Sequence, residues 1–298
     1  MTSSSTRSVS LTPTVALTVA GSDSGGGAGL QADLKTFAAL GVFGTSAVTA
    51  VTAQNTHAVS GVVTIEPGFV VAQIEAVLED LHPRAVKTGM LATGATVVAL
   101  AALAAEGVFE RLVVDPVLVS STGHPLMDDD GVEAYRTLLL PLALVATPNL
   151  REAAVLTGHR LEELGSVEAM VAAAEELRAL GTDTVVVKGG HLAQALGSDP
   201  AARTPSPDVV VGPAGPVVLE ADRVVTANDH GTGCSLSAAI TAHLALGRPT
   251  LEAVRAAKDY VHRALVGGAG WRLGAGHGPV DHFGWSPPPG DGPGHAVG

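Results

Sequence analysis

The sequence predicts an α/β fold in which a mostly parallel central sheet carries helices on both faces. Short β-branched runs alternate along the chain with Ala- and Leu-rich segments whose apolar residues recur at helical spacing. The strand-like runs are continuously apolar, which is typical of strands that are covered on both faces. With 298 residues, 46% of them hydrophobic and 15% charged, the chain can bury a large core.

The predicted elements alternate between strand and helix along most of the chain. The strands are TVALTVA (14–20), TSAVTAVTA (45–53), RAVKTG (84–89), ERLVVDPV (110–117), LALVAT (142–147) and TDTVVVKGG (182–190). The helices are GLQADLKTFAALG (29–41), PGFVVAQIEAVLEDL (67–81), ATVVALAALAAEG (95–107), NLREAAVLTG (149–158) and VEAMVAAAEELRALG (167–181). Right-handed crossovers between such strands place the following loops along one edge of the sheet, where these folds bind ligands.

The same pattern indicates one domain over residues 14–284, with a flexible N-terminus at 1–13 and a disordered, Pro- and Gly-rich tail at 285–298. Within the domain, the Pro-, Gly- and Ala-rich stretch 193–216 predicts a surface excursion that contains a small hairpin. The chain shows no internal repeat and no linker that would divide it.

Composition and charge exclude several classes of protein. A net charge of -12 without a Lys/Arg cluster argues against a nucleic-acid surface. No apolar run is long enough to span a membrane, and the N-terminus lacks the apolar core of a signal peptide, so we expect a cytoplasmic protein. The single cysteine excludes an intrachain disulfide framework and a Cys-rich metal site.

The first glycine-rich loop, AGSDSGGGAGLQADLKT (20–36), follows the first predicted strand. It does not fit the dinucleotide pattern G-x-G-x-x-G, because Leu30 stands where the last glycine is needed. The chain also lacks a Gly-Lys pair, which excludes a Walker A loop. The loop therefore predicts either a backbone that comes close to a small ligand or an ordinary flexible turn.

A second loop, NDHGTGCSLSAA (228–239), leads into an apolar helical run. Gly231, Thr232 and Gly233 allow a tight turn whose free N–H groups, at the positive end of the helix dipole, bind an anion such as a transferred phosphoryl group. Cys234 then lies beside the reacting atoms. We expect the helix terminus to lower the pKa of its thiol, so that it could accept a proton from a hydroxyl group. The alternative for Cys234 is a small buried apolar residue.

Taken together, these stretches resemble the hydroxymethylpyrimidine/phosphomethylpyrimidine kinases of thiamine biosynthesis, which belong to the ribokinase-like superfamily. The resemblance extends from about residue 16 to 283 and rests on AGSDSGGGAGLQADLKTFAALGVFGTSAVTAVTAQNT, KTGML, VVDPVLV, TPNLREAAVLTG, VVVKGGH, NDHGTGCSLSAA and GHGPVDHF, which occur in the family's order. It implies transfer of the ATP γ-phosphoryl group to 4-amino-5-hydroxymethyl-2-methylpyrimidine and then to its monophosphate. It also implies a homodimer.

The resemblance assigns roles to individual residues. The turn at 231–233 corresponds to the superfamily's anion hole, and Cys234 stands where most relatives carry an aspartate base. Gln54 is similar to the glutamine that hydrogen-bonds the aminopyrimidine edge, since its amide offers both a donor and an acceptor. The pocket for the ring is implied for Gly21, Ala28, Met90 and Val117, with Asp33 close to it. Without the resemblance, Met90 is better explained as core filling.

The remaining motifs match the nucleotide half of the family. Lys188 is implied to lie against the ATP phosphates, where a cation offsets the charge of the γ-phosphoryl oxygens. Asn149 and Thr226 are implied to bind the nucleotide. Asp115 and Glu152 are implied to hold Mg²⁺, commonly through waters. From the residues alone, Glu152 is also explained as a helix-start acid and Asp115 as a turn residue before proline.

One position departs from the family pattern. Relatives commonly read Asn-Thr-His before the turn, whereas this chain has Asp229 in the middle, and a carboxylate turned inward would repel phosphate. We expect Asp229 to face outward. The segments 120–123 and 193–216 are candidate lids, and His57, His124 and His191 are expected to be polar loop residues near the ligand.

Three other functions are weighed against this kinase. A pyridoxal or pyridoxine kinase on the same scaffold fits nearly as well, because pyridoxal also carries a hydroxymethyl group on a six-membered aza-aromatic ring. Gln54 favours the aminopyrimidine, and dual activity is an open alternative. A binding protein that has lost catalysis is disfavoured by the presence of Lys188 and Cys234. A nicotinamide dehydrogenase is disfavoured by the broken glycine pattern.

Overall fold

The computed structural model describes residues 12–118, 127–190 and 205–286, and these form a single nine-stranded sheet with helices on both faces. The strands are β1 (Val15–Ser22), β2 (Phe43–Gln54), β3 (Val59–Thr64), β4 (Ala85–Thr88), β5 (Leu112–Val114), β6 (Val145–Ala146), β7 (Thr184–Lys188), β8 (Asp208–Gly212) and β9 (Gly215–Leu219). The α-helices are α1 (Gly29–Ala39), α2 (Pro67–Leu81), α3 (Gly94–Ala105), α4 (Asp129–Ala134), α5 (Leu150–Thr157), α6 (Val167–Ala179), α7 (Thr232–Ala245) and α8 (Thr250–Gly268). Shorter helical turns cover Tyr135–Leu139, Leu140–Leu142 and Leu161–Leu164.

The strand order in the sheet is β3-β2-β1-β4-β5-β6-β7-β8-β9. The five pairings from β2 to β7 are all parallel. The antiparallel pairings lie at the two sides of the sheet: β3 with β2 at one side, and β8 with β7 and with β9 at the other. The prediction of a mostly parallel sheet is therefore confirmed.

Each face of the sheet is covered by its own apolar core. In β1, Leu17 and Val19 belong to the core on the side of α2, α3, α5 and α6, while Ala16 belongs to the core on the side of α1, α7 and α8. All three side chains are fully buried. This arrangement explains why the central strands read as continuous apolar runs, since neither face meets water.

Three parts of the chain differ from the sequence-based expectation. The edge strand β3 was not predicted, because all six of its residues are exposed and its sequence, VSGVVT, carries no buried face. The helical turns over residues 129–142 were not predicted either. The expected small hairpin exists as β8 and β9, but it occupies 208–219 and so ends later than the predicted excursion at 193–216.

The crossovers bring the ends of β1, β4, β5 and β7 to one edge of the sheet, and α7 begins at the same edge. The turn before α7 is fixed to the segment after α8 by Asn228, whose buried amide nitrogen donates to the carbonyl oxygens of Gly268 (2.8 Å), Ala269 (3.3 Å) and Trp271 (2.9 Å). Loops that come from distant parts of the chain are thereby held together at this edge. None of the helices in the described ranges combines the length and apolarity needed to cross a membrane.

Candidate active site

The glycine-rich loop after β1 is organised by the side chain of Asp23. Its Oδ1 accepts a hydrogen bond from the N–H of Gly25 (2.8 Å), and its Oδ2 accepts from the N–H groups of Gly27 (3.1 Å) and Ala28 (2.9 Å). Ala28 is the N-cap of α1 and has no side-chain acceptor of its own, so Asp23 supplies the missing cap. The loop is therefore ordered rather than flexible.

The same carboxylate connects this loop to the turn before α7. His230 Nε2 lies 2.9 Å from Asp23 Oδ2 and 3.4 Å from the amide nitrogen of Gln54, at the end of β2. Burial raises the pKa of Asp23, but the hydrogen bonds from His230 and from the Ala28 N–H outweigh it, so the pKa lies below its usual value. His230 therefore donates to Asp23 and joins the two loops, a role of both residues that sequence reasoning missed. The backbone of Gln54 is held by the Ser24 hydroxyl, which accepts from the Gln54 N–H (2.7 Å) and donates to its carbonyl oxygen (2.8 Å).

Glycine is required where the two loops touch. Gly231 has a φ of 84°, in the left-handed region, and a Cβ at this position would collide with the carbonyl oxygen of Gly27. A Cβ on Gly27 would in turn lie 2.6 Å from the ring of His230. Side chains at these positions would push the two loops apart.

Of the residues predicted to line a ring pocket, Gly21 and Met90 are in contact and Ala28 lies next to Gly231. Gly21, at the end of β1, donates its N–H to the carbonyl oxygen of Met90 (3.1 Å), and a Cβ on Gly21 would collide with the Met90 methyl group. Ala28, Met90 and Val117 are all partly exposed. Asp33 differs: its side chain is fully buried beneath α1 and forms an ion pair with Lys87, so it presents no surface to a bound molecule.

The turn at 231–233 forms the first part of α7. Gly231 is the N-cap, and the hydroxyl of Thr232 donates to the carbonyl oxygen of Asp229 (2.6 Å). A helix start carries backbone N–H groups without partners inside the helix, which favours an anion. A cation completes the arrangement, because a Cβ on Gly233 would lie only 3.2 Å from Lys188 Nζ. The predicted anion turn and the predicted phosphate-binding lysine are therefore adjacent.

Cys234 follows this turn, but its acidity is opposite to the expectation. Burial raises the pKa of the thiol to about 11, and the carboxylates of Asp33 and Asp115 act in the same direction. Lys87 and a hydrogen bond from the Gly29 N–H lower the pKa, but by less. The expected lowering by the helix terminus is thus wrong for the protein without ligands, because desolvation of the thiolate outweighs it. At neutral pH, Cys234 is a thiol.

Lys188, at the end of β7, lies between a carboxylate that follows β5 and one in the first turn of α5. Its Nζ is 2.8 Å from Asp115 Oδ1 and 4.0 Å from Glu152 Oε2, and all three side chains are largely buried. Asp115 also accepts from the hydroxyls of Thr147 (3.0 Å) and Ser237 (3.1 Å). These contacts fix the Asp115 carboxylate against both β7 and α7.

Glu152 belongs to the start of α5. Asn149 is the N-cap of this helix: its side chain accepts from the Glu152 N–H (3.0 Å), and its own N–H donates to Glu152 Oε2 (2.7 Å). Burial raises the pKa of Glu152 to about 8, although Lys188 acts to lower it. Burial lowers the pKa of Lys188, but the nearby carboxylates of Asp115 and Glu152 raise it by more. The net shift is upward, so Lys188 is charged.

Two carboxylates are few ligands for a metal that is held by protein alone. In the part of the chain that the structure describes, no group of three or more His, Cys, Asp or Glu side chains could hold a metal ion. Asp115 and Glu152 fit Mg²⁺ instead, because this ion is usually held by one or two carboxylates, waters and substrate phosphates. Two hard oxygen donors next to the turn that is predicted to bind phosphate match that requirement.

The other predicted site residues lie at the margin of the cluster. The hydroxyl of Thr226 accepts from the Asn228 N–H (2.9 Å) and donates to the carbonyl oxygen of Ala269 (3.2 Å), so it is used within the backbone turn. Asp229 faces outward as expected: its side chain is 46% exposed and lies 3.1 Å from His277. His57 is exposed. His124, His191, the segment 120–123 and residues 193–204 of the excursion at 193–216 fall outside the described residues.

Comparison with known proteins identifies relatives of the whole chain. The family model described as phosphomethylpyrimidine kinase matches residues 23–281. A hydroxymethylpyrimidine/phosphomethylpyrimidine kinase of Rhizobium meliloti is 48% identical over 270 residues, which are 90% of this chain and 97% of the relative.

Two solved structures share the fold. The phosphomethylpyrimidine kinase of Clostridium difficile has a TM-score of 0.72 at 39% identity, covering 85% of this chain and 99% of that one. The pyridoxal kinase of Staphylococcus aureus in complex with ADP has a TM-score of 0.80 at 36% identity, covering 92% and 95%.

The role of Asp23 predicts a pH-dependent loss of stability. Asp23→Ala leaves three backbone N–H groups and His230 without their acceptor, and we expect it to lower the free energy of unfolding by about 1–3 kcal/mol at pH 7. Because the folded-state pKa of Asp23 is lowered, its contribution is present above the ordinary pKa and is lost as pH falls through the folded value. Urea unfolding at pH 7 and near pH 3 measures both effects. The control is Asp222→Ala at an exposed position, and an equal loss in both variants would contradict the assignment.

The acidity of Cys234 predicts slow alkylation. Since the thiolate is the reactive form and the chain has one cysteine, the rate of reaction with iodoacetamide reports on Cys234 alone. We expect this rate to rise about tenfold for each pH unit from pH 7 to 10 with no plateau, because the pKa of the thiol is about 11. A short cysteine peptide, whose thiol has an ordinary pKa of about 8.5, serves as the control, and its alkylation rate levels off within this pH range. A plateau of the protein rate below pH 8 would exclude the raised pKa.

Proposed function

Because the chain belongs to the phosphomethylpyrimidine kinase family, we propose that it transfers the γ-phosphoryl group of ATP to 4-amino-5-hydroxymethyl-2-methylpyrimidine and then to the resulting monophosphate. The observation that carries this proposal is the contact between Lys188 and the turn at 231–233. A cation and a helix start that face the same point suit the charge that spreads over a phosphoryl group during its transfer. The partners are therefore ATP and the aminopyrimidine.

Gln54 supports the choice of an aminopyrimidine. Its amide can donate to a ring nitrogen and accept from an amino group, which are the complementary groups on that edge of the substrate. Ser24 holds the backbone of Gln54, and the amide nitrogen lies 3.4 Å from His230. We assign the neighbouring pocket to Gly21, Ala28, Met90 and Val117. Positioning of both substrates contributes much of the catalysis in phosphoryl transfer, since the protein takes little covalent part.

Asp115 and Glu152 are the proposed ligands of Mg²⁺. When bound, the ion neutralises charge on the β- and γ-phosphate oxygens and helps to orient them. Glu152 must be ionised to bind a cation, and its raised pKa means that binding releases a proton near neutral pH. We assign Asn149 and Thr226 to the nucleotide side of the site: Asn149 by fixing the Glu152 carboxylate, and Thr226 by ordering the turn before α7.

The two acceptors place different demands on the protein. The hydroxymethyl group of the first substrate must lose a proton as its oxygen attacks, whereas the monophosphate oxygen is already ionised. We propose that Cys234 receives this proton in the first step. Since the unliganded protein holds Cys234 as a thiol, a thiolate has to be favoured once the substrates exclude water and add their own charges.

A pyridoxal kinase is the second candidate. It is favoured by the likeness to the Staphylococcus aureus pyridoxal kinase. The TM-score to that enzyme is 0.80, against 0.72 for the phosphomethylpyrimidine kinase of Clostridium difficile. Pyridoxal offers the same acceptor group on a similar ring. It lacks the amino and ring-nitrogen edge that suits Gln54, so we rank it below the aminopyrimidine. The third candidate is a protein that binds the pyrimidine but does not phosphorylate it.

The proposal predicts the following pattern of turnover. With Mg²⁺ and ATP, the purified protein phosphorylates the hydroxymethylpyrimidine and its monophosphate faster than pyridoxal. Cys234→Ala lowers kcat for the hydroxymethylpyrimidine more than for the monophosphate, while Lys188→Met lowers kcat for both by about 100-fold or more. Arg160→Met, which removes a surface cation whose side chain is 78% exposed, is the control and leaves both rates unchanged. Turnover of pyridoxal alone would overturn the proposal in favour of the second candidate, and binding without turnover would leave the third.

We also propose a cytoplasmic homodimer in which a second copy of this chain covers β3. The side chains of Val59, Val62 and Val63 on this edge strand are 51%, 52% and 67% exposed. Val63 pairs with Val51, itself 47% exposed, so the apolar surface extends onto β2. An exposed apolar edge strand is a ready site for pairing with another chain.

The dimer predicts a mass that depends on this edge. Sedimentation of the wild-type protein at micromolar concentration gives twice the chain mass, and the double variant Val62→Lys/Val63→Lys gives the single mass because lysines on an edge strand oppose pairing. Val98→Lys, at a 49% exposed position on α3, is the matched control and stays dimeric. A monomeric wild type, or a dimer that survives the double substitution, would rule out this interface.

A further inference from the structure

A further lysine lies on the same side of the sheet as Lys188. Lys258, on α8, has its Nζ 2.7 Å from Asp208 Oδ2 and 3.0 Å from the carbonyl oxygen of Ser206. The side chains of Lys258 and Asp208 are each only 11% exposed. Such a pair adds little net stability by itself, because the loss of hydration offsets the attraction between the charges. Its place in the fold points to a role in positioning.

Asp208 connects Lys258 to Lys188. In the ladder between β7 and β8, Asp208 is paired with Lys188. Residues that oppose each other in antiparallel strands project to the same side of the sheet, with Cβ atoms about 5 Å apart. The pair two positions away agrees, since Val186 and Val210 both belong to the core on the side of α1, α7 and α8. Asp208 is therefore a neighbour of Lys188 on the side from which Lys258 approaches.

The other oxygen of Asp208 holds the backbone that follows Lys188. Asp208 Oδ1 accepts from the N–H of Gly189 at 2.9 Å. Gly189 is tightly enclosed, because a Cβ there would collide with the carbonyl oxygen of Pro207. One oxygen of Asp208 is thus bound to Gly189 and the other to Lys258. Within the described ranges, Lys188 forms its ion pairs with Asp115 and Glu152 instead.

Three carboxylates therefore lie close to Lys188, and Asp208 is the one that has a lysine of its own. Without Lys258, the charge of Asp208 would be uncompensated in a largely buried place next to Lys188. It would draw the ammonium group toward β8 and away from the turn at 231–233, and it would repel a phosphate bound at that turn. Both effects are strong where little water screens the charges.

We propose that Lys258 is a positioning residue for Lys188. By neutralising Asp208, Lys258 keeps the ammonium group of Lys188 directed at the turn at 231–233 and leaves its charge available to the phosphates of ATP. The inference rests on the proposed function, because it concerns the binding of ATP. Lys258 acts only through Asp208 and Lys188.

The test measures the Kd of ATP and of ADP by calorimetry, with Mg²⁺ and without an acceptor. Lys258→Met raises the Kd of ATP by about tenfold or more, and that of ADP by less, because Lys188 is assigned to the γ-phosphoryl oxygens. The double variant Lys258→Met/Asp208→Asn brings the Kd of ATP back to within about threefold of the wild type. The asparagine keeps an acceptor for the Gly189 N–H but carries no charge.

The matched control is Arg84→Met, which removes the cation of an exposed ion pair with Glu110 before β4. It leaves both Kd values unchanged. Circular dichroism checks that each variant is folded. If Lys258→Met does not fold, Lys258→Gln and its own double variant with Asp208→Asn take its place, with the same expected results.

An unchanged Kd of ATP in Lys258→Met would overturn the inference. So would a double variant that binds ATP as weakly as the single one, because damage to the fold is not repaired when the second partner is also removed. Turnover of the pyrimidines by the wild type together with either result keeps the kinase and removes the role of Lys258. A wild type that binds ATP without turnover, with the expected Kd pattern in the variants, does the reverse. A wild type that does not bind ATP overturns both.

Discussion

The site depends on the way this chain keeps two lysine side chains inside the protein at one edge of the sheet. Lys87 is held by Asp33, and Lys188 is held between Asp115 and Glu152. Each cation comes from a strand; the carboxylate closest to Lys87 comes from α1, and the one closest to Lys188 follows β5, with Glu152 of α5 at 4.0 Å. Because a buried charge without a partner is strongly unfavourable, the pairs fix α1 against β4 and α5 against β7. The positions of the helix starts around the pocket follow from these pairs.

Much of the fold could be predicted because the central strands are covered on both faces and therefore read as unbroken apolar runs. The ends of those runs also place Asp115 and Lys188 at the carboxyl edge of the strands, where such folds bind ligands, whereas their individual roles come from the family resemblance and stay predictions. The edge strand β3 was not predicted because its sequence shows no alternation between a buried and an exposed face. The role of Asp23 is only weakly indicated by the sequence. An acidic residue in a Gly- and Ser-rich loop before a helix can cap that helix, and Asp23 could have been recognised on this ground.

The errors at the site come from quantities that depend on three-dimensional packing. Asp33 and Lys87 are 54 positions apart, and their contact depends on how α1 lies across the sheet. For Cys234, the sequence shows the helix start, which lowers the pKa of a thiol, but it does not show the surrounding apolar and acidic groups, which raise it. Two opposed effects of similar size cannot be ranked until burial is known.

The contacts of Asn228 have a consequence for the order in which the protein is assembled. The three carbonyl groups that it binds lie between residues 268 and 271, beyond the last strand and after both helices that complete the second core. During synthesis, the strands of the sheet are made first and the residues that hold the turn before α7 are made near the end. The turn therefore gains these three contacts only after every strand of the sheet has been synthesised.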